Sequence, residues 1–176
     1  MPILPDVLEP NLKLVICGNA AGTTSARMGQ YYATKGNLFW ATLFKTGLTP
    51  RQLAPREFAL LPAYGIGLTD VAKDAVGMDK DLPNEHFKHE NLRILVNKIE
   101  TFAPRVVAFH GKKGATALFK TYYGRTPEFG QQAEKIGGTL LFVLPQTSGA
   151  NRANWGRKGY LRFWQQLATV VQTFKV

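Results

Sequence analysis

Apolar positions along the chain fall into two kinds of run that alternate. Short, nearly continuous runs occur at Leu12 to Cys17 (broken only by Lys13), Val106 to Phe109 and Thr139 to Leu144. Their length and density suit strands buried on both faces of a parallel sheet. Gly65 to Asp70 reads as a further short buried strand with its acid at the C-terminal end. Between these runs, apolar residues recur at helical spacing. Leu92, Leu95, Val96, Ile99 and Phe102 form one stripe within His86 to Phe102. Leu161, Trp164, Leu167, Val171 and Phe174 form another, from about Gly159 onward. Shorter helices are predicted from Phe39-Trp40 through Leu43-Phe44, over Arg51 to Leu61, and from the Gly111–Gly114 turn through Phe119. Gly47 with Pro50, then Pro62 and Pro104, supply the stops. Residues 73–84 read as polar and irregular, and 124–138 as a loop rich in Gly and Gln. Strands alternating with helices predict an α/β fold, a four-stranded parallel sheet covered on both faces. No repeat or linker interrupts residues 1–176, which read as one domain.

The predicted strand ends collect the polar chemistry. After Cys17 the chain passes into the small residues Gly18-Asn19-Ala20-Ala21-Gly22-Thr23-Thr24-Ser25, over which backbone N–H groups can approach a ligand closely. The loop matches neither G-x-x-x-x-G-K-[ST] nor G-x-G-x-x-G, so neither common phosphate-loop pattern applies. On its own it fits a tight strand-to-helix connection equally well. The cluster Tyr31-Tyr32, Asn37 and Phe39-Trp40 behind it favours a ligand site at the sheet's crevice. Two other loops, His110 to Lys113 and Gln146 to Arg152, set lysine or arginine beside glycine, as phosphate contacts require. Asp70 is a lone carboxylate, equally readable as a helix cap.

Charge narrows the partner. The net charge is +10 with a pI near 9.9, and no acidic residue follows Glu134, whereas Lys135, Arg152, Arg157, Lys158, Arg162 and Lys175 do. Such a surface attracts a polyanion, most simply nucleic acid; solubility charge is the bland alternative. The single Cys17 excludes a disulfide framework within the chain and any multi-cysteine zinc site. His86, His89 and His110 are too scattered to form a convincing metal set. No apolar run approaches the ~18 residues of a membrane span. The segment MPILPDVLEP lacks the features of a signal peptide, so the expected location is cytoplasmic.

Three motifs in order carry a resemblance. C-G-x₃-G-x₂-S-A spans Cys17 to Ala26, Y-Y-A-x₃-N-x-F-W spans Tyr31 to Trp40, and V-L-P-x-T-S-x-A-N spans Val143 to Asn151. Together they resemble the uracil-DNA glycosylase superfamily. The first motif and Gly47-Leu48-Thr49-Pro50 are similar to the mismatch-specific (thymine/uracil) branch. Tyr31-Tyr32-Ala33 and Thr147-Ser148 are closer to the hypoxanthine-DNA glycosylase branch. The resemblance implies a three-layer α/β/α sandwich with a four-stranded, mainly parallel sheet. It also implies a monomer that flips a deaminated base, uracil first, out of DNA and hydrolyses its glycosidic bond without metal or other cofactor.

Carried over residue by residue, the resemblance assigns base contacts to Gly18, Asn19, Ala20, Tyr32, Asn37 and Phe39. Backbone N–H groups of 18–20 would stabilise a carbonyl oxygen of the leaving base, and Tyr32 would cover its ring. Contacts to the DNA fall on Ser25, Lys112, Lys113, Ser148, Gly149, Ala150, Asn151 and Arg152. Two positions depart from the branches. An ungapped match puts Ala20 where the mismatch-specific branch has its water-positioning Asn, so the catalytic candidates are Asn37, then Asp70 and Asn19. Ala150 stands where that branch inserts a bulky wedge, which implies a preference for single-stranded or mispaired substrate. Ala20 equally fits a catalytically inactive DNA-binding module, and a small-molecule enzyme is a more distant reading.

Overall fold

The computed structural model describes residues 1–149 and 159–175. Five strands form one sheet: β1 (Leu14–Gly18), β2 (Ile66–Asp70), β3 (Val106–His110), β4 (Gly130–Ile136) and β5 (Thr139–Leu144), in the order β2-β1-β3-β5-β4. The β1–β2, β1–β3 and β3–β5 pairs are parallel, while β4 runs antiparallel to β5 at the edge. The sheet therefore has one strand more than the sequence reading assigned. Residues 124–138, expected as loop, hold β4, joined to β5 across Gly137-Gly138 with Ile136 facing Thr139.

Alternation along the central strands explains their apolar runs. Leu14, Ile16, Val106, Ala108, Phe142 and Leu144 enter the core on one face of the sheet. Val15, Cys17, Val107, Phe109, Leu141 and Val143 enter the core on the other. A strand buried on both sides has no use for polar side chains. On the first face lie α2 (Phe39–Lys45) and α5 (Leu161–Gln172), the latter through Trp164, Leu167, Ala168 and Val171. On the second lie α3 (His89–Phe102), through Leu92, Leu95 and Ile99, and α4 (Lys112–Tyr123), through Ala115, Leu118 and Phe119. The architecture is a three-layer α/β/α sandwich.

Two local differences matter. The predicted helix over Arg51 to Leu61 is a 3-10 segment, Pro55–Tyr64, in which Pro62 lacks the N–H an α-helix would use. Part of the small-residue loop is itself helical, as α1 (Thr23–Met28). The segment before β1 covers the β2 edge, with Val7 and Leu68 exchanging both backbone hydrogen bonds at 2.9 Å. Among the described residues, no helix is long and apolar enough to cross a membrane. Because the central strands are parallel, the ends at Gly18, Asp70, His110 and Leu144 face the same way.

Candidate active site

A cavity of about 440 Å³ opens at these strand ends. Among the described residues, its walls come from four stretches, the loop 18–25, the segment 32–37, the turn 77–79 and the loop 146–149, with His110 from the end of β3. The size falls within the usual range for a small organic ligand.

The first loop is shaped by its carbonyls. Val71 N–H donates to the Gly18 carbonyl and Ala72 N–H to the Asn19 carbonyl, both at 2.9 Å. A planar trans peptide points its N–H opposite its C=O. The N–H groups of Asn19 and Ala20 are thereby turned away from residues 71–72, on two residues that line the cavity. Gly18 leaves no room for a side chain. A methyl group there would collide with the Asp70 carboxylate and sit 3.1 Å from the Tyr32 hydroxyl.

Tyr32 forms an aromatic wall. Its backbone takes the left-handed conformation, φ 51°, unusual for a bulky residue. The ring stacks on Phe39 with centroids 3.8 Å apart and planes 20° apart, and meets His110 edge-on. Next to it, Ala33 N–H donates to Ser25 Oγ at 3.0 Å. Phe39 is fully buried and is not among the cavity-lining residues, so it backs Tyr32 rather than facing a ligand. Ser25 lines the cavity, with its hydroxyl already accepting from Ala33.

Asn37 does two structural jobs with one atom. Its Oδ1 accepts from Phe39 N–H at 2.9 Å, capping α2, and from the Thr147 hydroxyl at 2.7 Å. Its Nδ2 has no hydrogen-bond partner among the described residues and is the donor left for a ligand. Thr147 extends this strut to His110, whose Nε2 lies 2.9 Å from the Thr147 hydroxyl and accepts from its N–H at 3.2 Å. Burial pushes the His110 pKa down to about 3, so the ring is neutral at ordinary pH.

Asn19 is buried, and its side chain is held at both ends. Oδ1 accepts from Gly114 N–H at 2.8 Å, and Nδ2 donates to Asp79 Oδ2 at 2.7 Å. Gln146 Nε2 donates to the same Asp79 oxygen at 2.7 Å.

The remaining sequence-derived positions are distributed more widely. Asp70 belongs to β2, the outermost parallel strand, and does not line this cavity. It opens instead on a second cavity of about 360 Å³ shared with Asp6, Lys73 and Lys98. Burial, only partly offset by Lys73 at 3.9 Å, raises its pKa to about 6. Lys113 Nζ donates to the Asp79 and Leu82 carbonyls, each at 2.6 Å, so it clamps a loop rather than reaching outward. Lys112 is partly exposed over the Phe129 ring. Ser148 and Gly149 line the cavity, whereas Ala150, Asn151 and Arg152 lie outside the described residues.

A family model for the uracil DNA glycosylase superfamily matches residues 5–168. The chain belongs to the uracil-DNA glycosylase superfamily. Its fold is similar to the solution NMR structure of a candidate uracil DNA glycosylase from Methanosarcina acetivorans. The TM-score is 0.64 and the identity 23%, with 96% of each chain covered. Superfamily membership makes the protein a DNA glycosylase, a hydrolase that acts on DNA, and the basic surface is consistent with that substrate.

Within this cavity, the sequence alone singles out neither Asp79 nor the hydrogen bonds made by Gln146 and Thr147. The available cue for Asp79 is its position on the loop that leaves a strand's C-terminal end, where function concentrates. With Lys80 and Asp81 beside it, the stretch reads only as polar and irregular. The inventory is an aromatic face, backbone donors, the Asn37 amide and one carboxylate. Such a set can hold a flat heterocycle edge-on to hydrogen-bonding groups and bring water to it.

Proposed function

We propose that the protein is a monofunctional glycosylase that removes uracil from DNA, with hypoxanthine as the alternative base. The observation that carries this reading is the convergence of Tyr32, Asn37 Nδ2 and the 18–20 backbone on one cavity. The flipped base would lie against Tyr32, its carbonyl oxygens meeting donors from Asn37 and the peptide N–H groups of Asn19 and Ala20. As the C1′–N bond breaks, negative charge grows on the base, and fixed donors stabilise it in the transition state more than in the ground state. Cytosine would turn an amino group toward those donors and leave them unpaired, which supplies discrimination.

A Schiff base requires a lysine amine free to attack C1′. Lys113 is engaged by two carbonyls, and Lys35 stands on the exposed rim. The proposed reaction is hydrolytic, leaving an abasic site in an unbroken strand, and borohydride trapping tests Lys35 directly.

Oligonucleotides carrying uracil or hypoxanthine, incubated with the protein and then heated in alkali, test the reading. Strand scission only after alkali is expected, together with no covalent complex on adding borohydride. No scission from either base, in single or double strands, would overturn it.

A further inference from the structure

We propose that Asp79 is the catalytic residue that holds the attacking water and takes its proton. This rests on the glycosylase reading above and adds the one function that reading leaves without a residue.

Hydrolysis needs an acceptor on the cavity wall with a free lone pair. The other candidates are engaged, too weakly basic to take a proton, or placed elsewhere. Asn37 Oδ1 already accepts from both Phe39 N–H and Thr147, and Asn19 Oδ1, held by Gly114 N–H, belongs to a neutral amide that is a poor base. His110 Nε2 is taken by Thr147. Asp70 opens on the other cavity. Ser25 Oγ already accepts from Ala33.

Asp79 differs in each respect. Among the described residues it is the only carboxylate lining the cavity. Two amide donors, Asn19 Nδ2 and Gln146 Nε2, converge on its Oδ2 at 2.7 Å each and fix the plane of the group. Its own backbone carbonyl is gripped by Lys113 Nζ at 2.6 Å, so main chain and side chain are both anchored. Oδ1 has no hydrogen-bond partner among the described residues. Asn19, Gln146 and Lys113 thus become positioning residues, and their attachment to the rigid ends of β1, β5 and α4 holds the carboxylate still.

In the reaction, water held by Oδ1 attacks C1′ and the C1′–N bond breaks with its electron pair leaving on the base. The water's proton passes to Asp79. The carboxylate's negative charge also offsets the positive charge that builds on the sugar ring. The products are the free base and a sugar bearing a C1′ hydroxyl.

The test is the single-turnover rate of Asp79→Asn on whichever base the wild type removes, measured beside melting temperature and DNA affinity. The expected result is a loss of ~10²-fold or more with the other two unchanged. Should Asp79→Asn destabilise the fold, Asp79→Ala assayed with and without formate answers the same question, since a small carboxylate can occupy the vacated space. Formate-dependent recovery supports the assignment and a rate unmoved by formate overturns it. An Asp79→Asn rate within about threefold of wild type also ends the Asp79 assignment while leaving the glycosylase reading intact. A wild type that releases neither base ends both.

Discussion

Asn37 shows how one side chain serves structure and chemistry through different atoms. Replacing it by Ala removes the cap on α2 and the strut to Thr147, so a loss of activity would be ambiguous. The cap alone is worth about 1 kcal/mol. Asn37→Asp keeps an oxygen for Phe39 N–H and the Thr147 hydroxyl and changes only the group that faces the cavity. It is expected to melt within a few degrees of wild type yet lose roughly 10–100-fold in single-turnover excision, the worth of a hydrogen bond to developing charge. Calorimetry beside a rate measurement decides, and full activity in a stable Asn37→Asp would remove the residue from base recognition.

Two buried groups set opposing pH dependences. Asp70, raised to about 6, favours the folded state when protonated. Its contribution is full below the ordinary carboxylate value and is lost as pH rises through about 6. Asp6, Lys73 and Lys98 surround it. His110, lowered to about 3, works the other way, because folding favours the neutral ring. That contribution is present above about 6.5 and is lost as pH falls toward 3. Between pH 7 and 4 the two partly cancel. Asp70→Asn removes one side, so relative to that variant the wild type should gain about 2 kcal/mol between pH 7 and pH 4.5. Urea unfolding at pH 7 and pH 4.5 measures it; an unchanged difference would contradict the raised Asp70 value.

At the scale of elements, what the sequence reveals depends on burial. β1, β3 and β5 are legible because a strand covered on both faces must be apolar throughout, and β5 keeps the bounds its run predicts, Thr139–Leu144. β4 has one solvated face and reads Gly-Gln-Gln-Ala-Glu-Lys-Ile, too polar to stand out. The clue it did offer was Gly137-Gly138, a two-residue hairpin turn with Gly137 at φ 56°. The site divides along similar lines. Tyr32 and Asn37 sit in motifs with a local signature, and both line the cavity. Asp79 becomes meaningful only when the turn 77–79 comes to lie against Asn19 and Gln146, 60 and 67 residues away in sequence. No local pattern encodes that meeting. Asp70 misleads for the reverse reason, since its strand-end position is correct in kind but its strand lies at the side of the sheet.

Packing between elements also maintains the site. α4 approaches the first loop so closely that a methyl at Gly114 would lie 2.7 Å from Val71 Cγ2 and 2.9 Å from Asn19 Oδ1. Gly114→Ala should cost about 1–3 kcal/mol through overpacking, roughly 3–10 °C in melting temperature for a chain of this size. Excision should fall further than stability alone explains, because the methyl crowds Asn19 Oδ1 away from the backbone N–H that holds it. A variant that melts lower but excises normally would show the clamp to be structural only.

For the molecule as a whole, the +10 charge and the acid-free C-terminal part predict affinity dominated by phosphate contacts. The logarithm of DNA affinity should fall linearly with the logarithm of salt concentration, at about 0.9 per neutralised phosphate. The excision rate of DNA already bound should respond far less, since the chemistry takes place within the cavity. The most direct test of the account is the identity of what leaves the DNA. Uracil-containing DNA incubated with excess protein should yield one free uracil per lesion by mass spectrometry, with the strand intact until alkali is added. If neither uracil nor hypoxanthine is released from single- or double-stranded DNA that the protein demonstrably binds, the cavity is not a glycosylase site and the account fails.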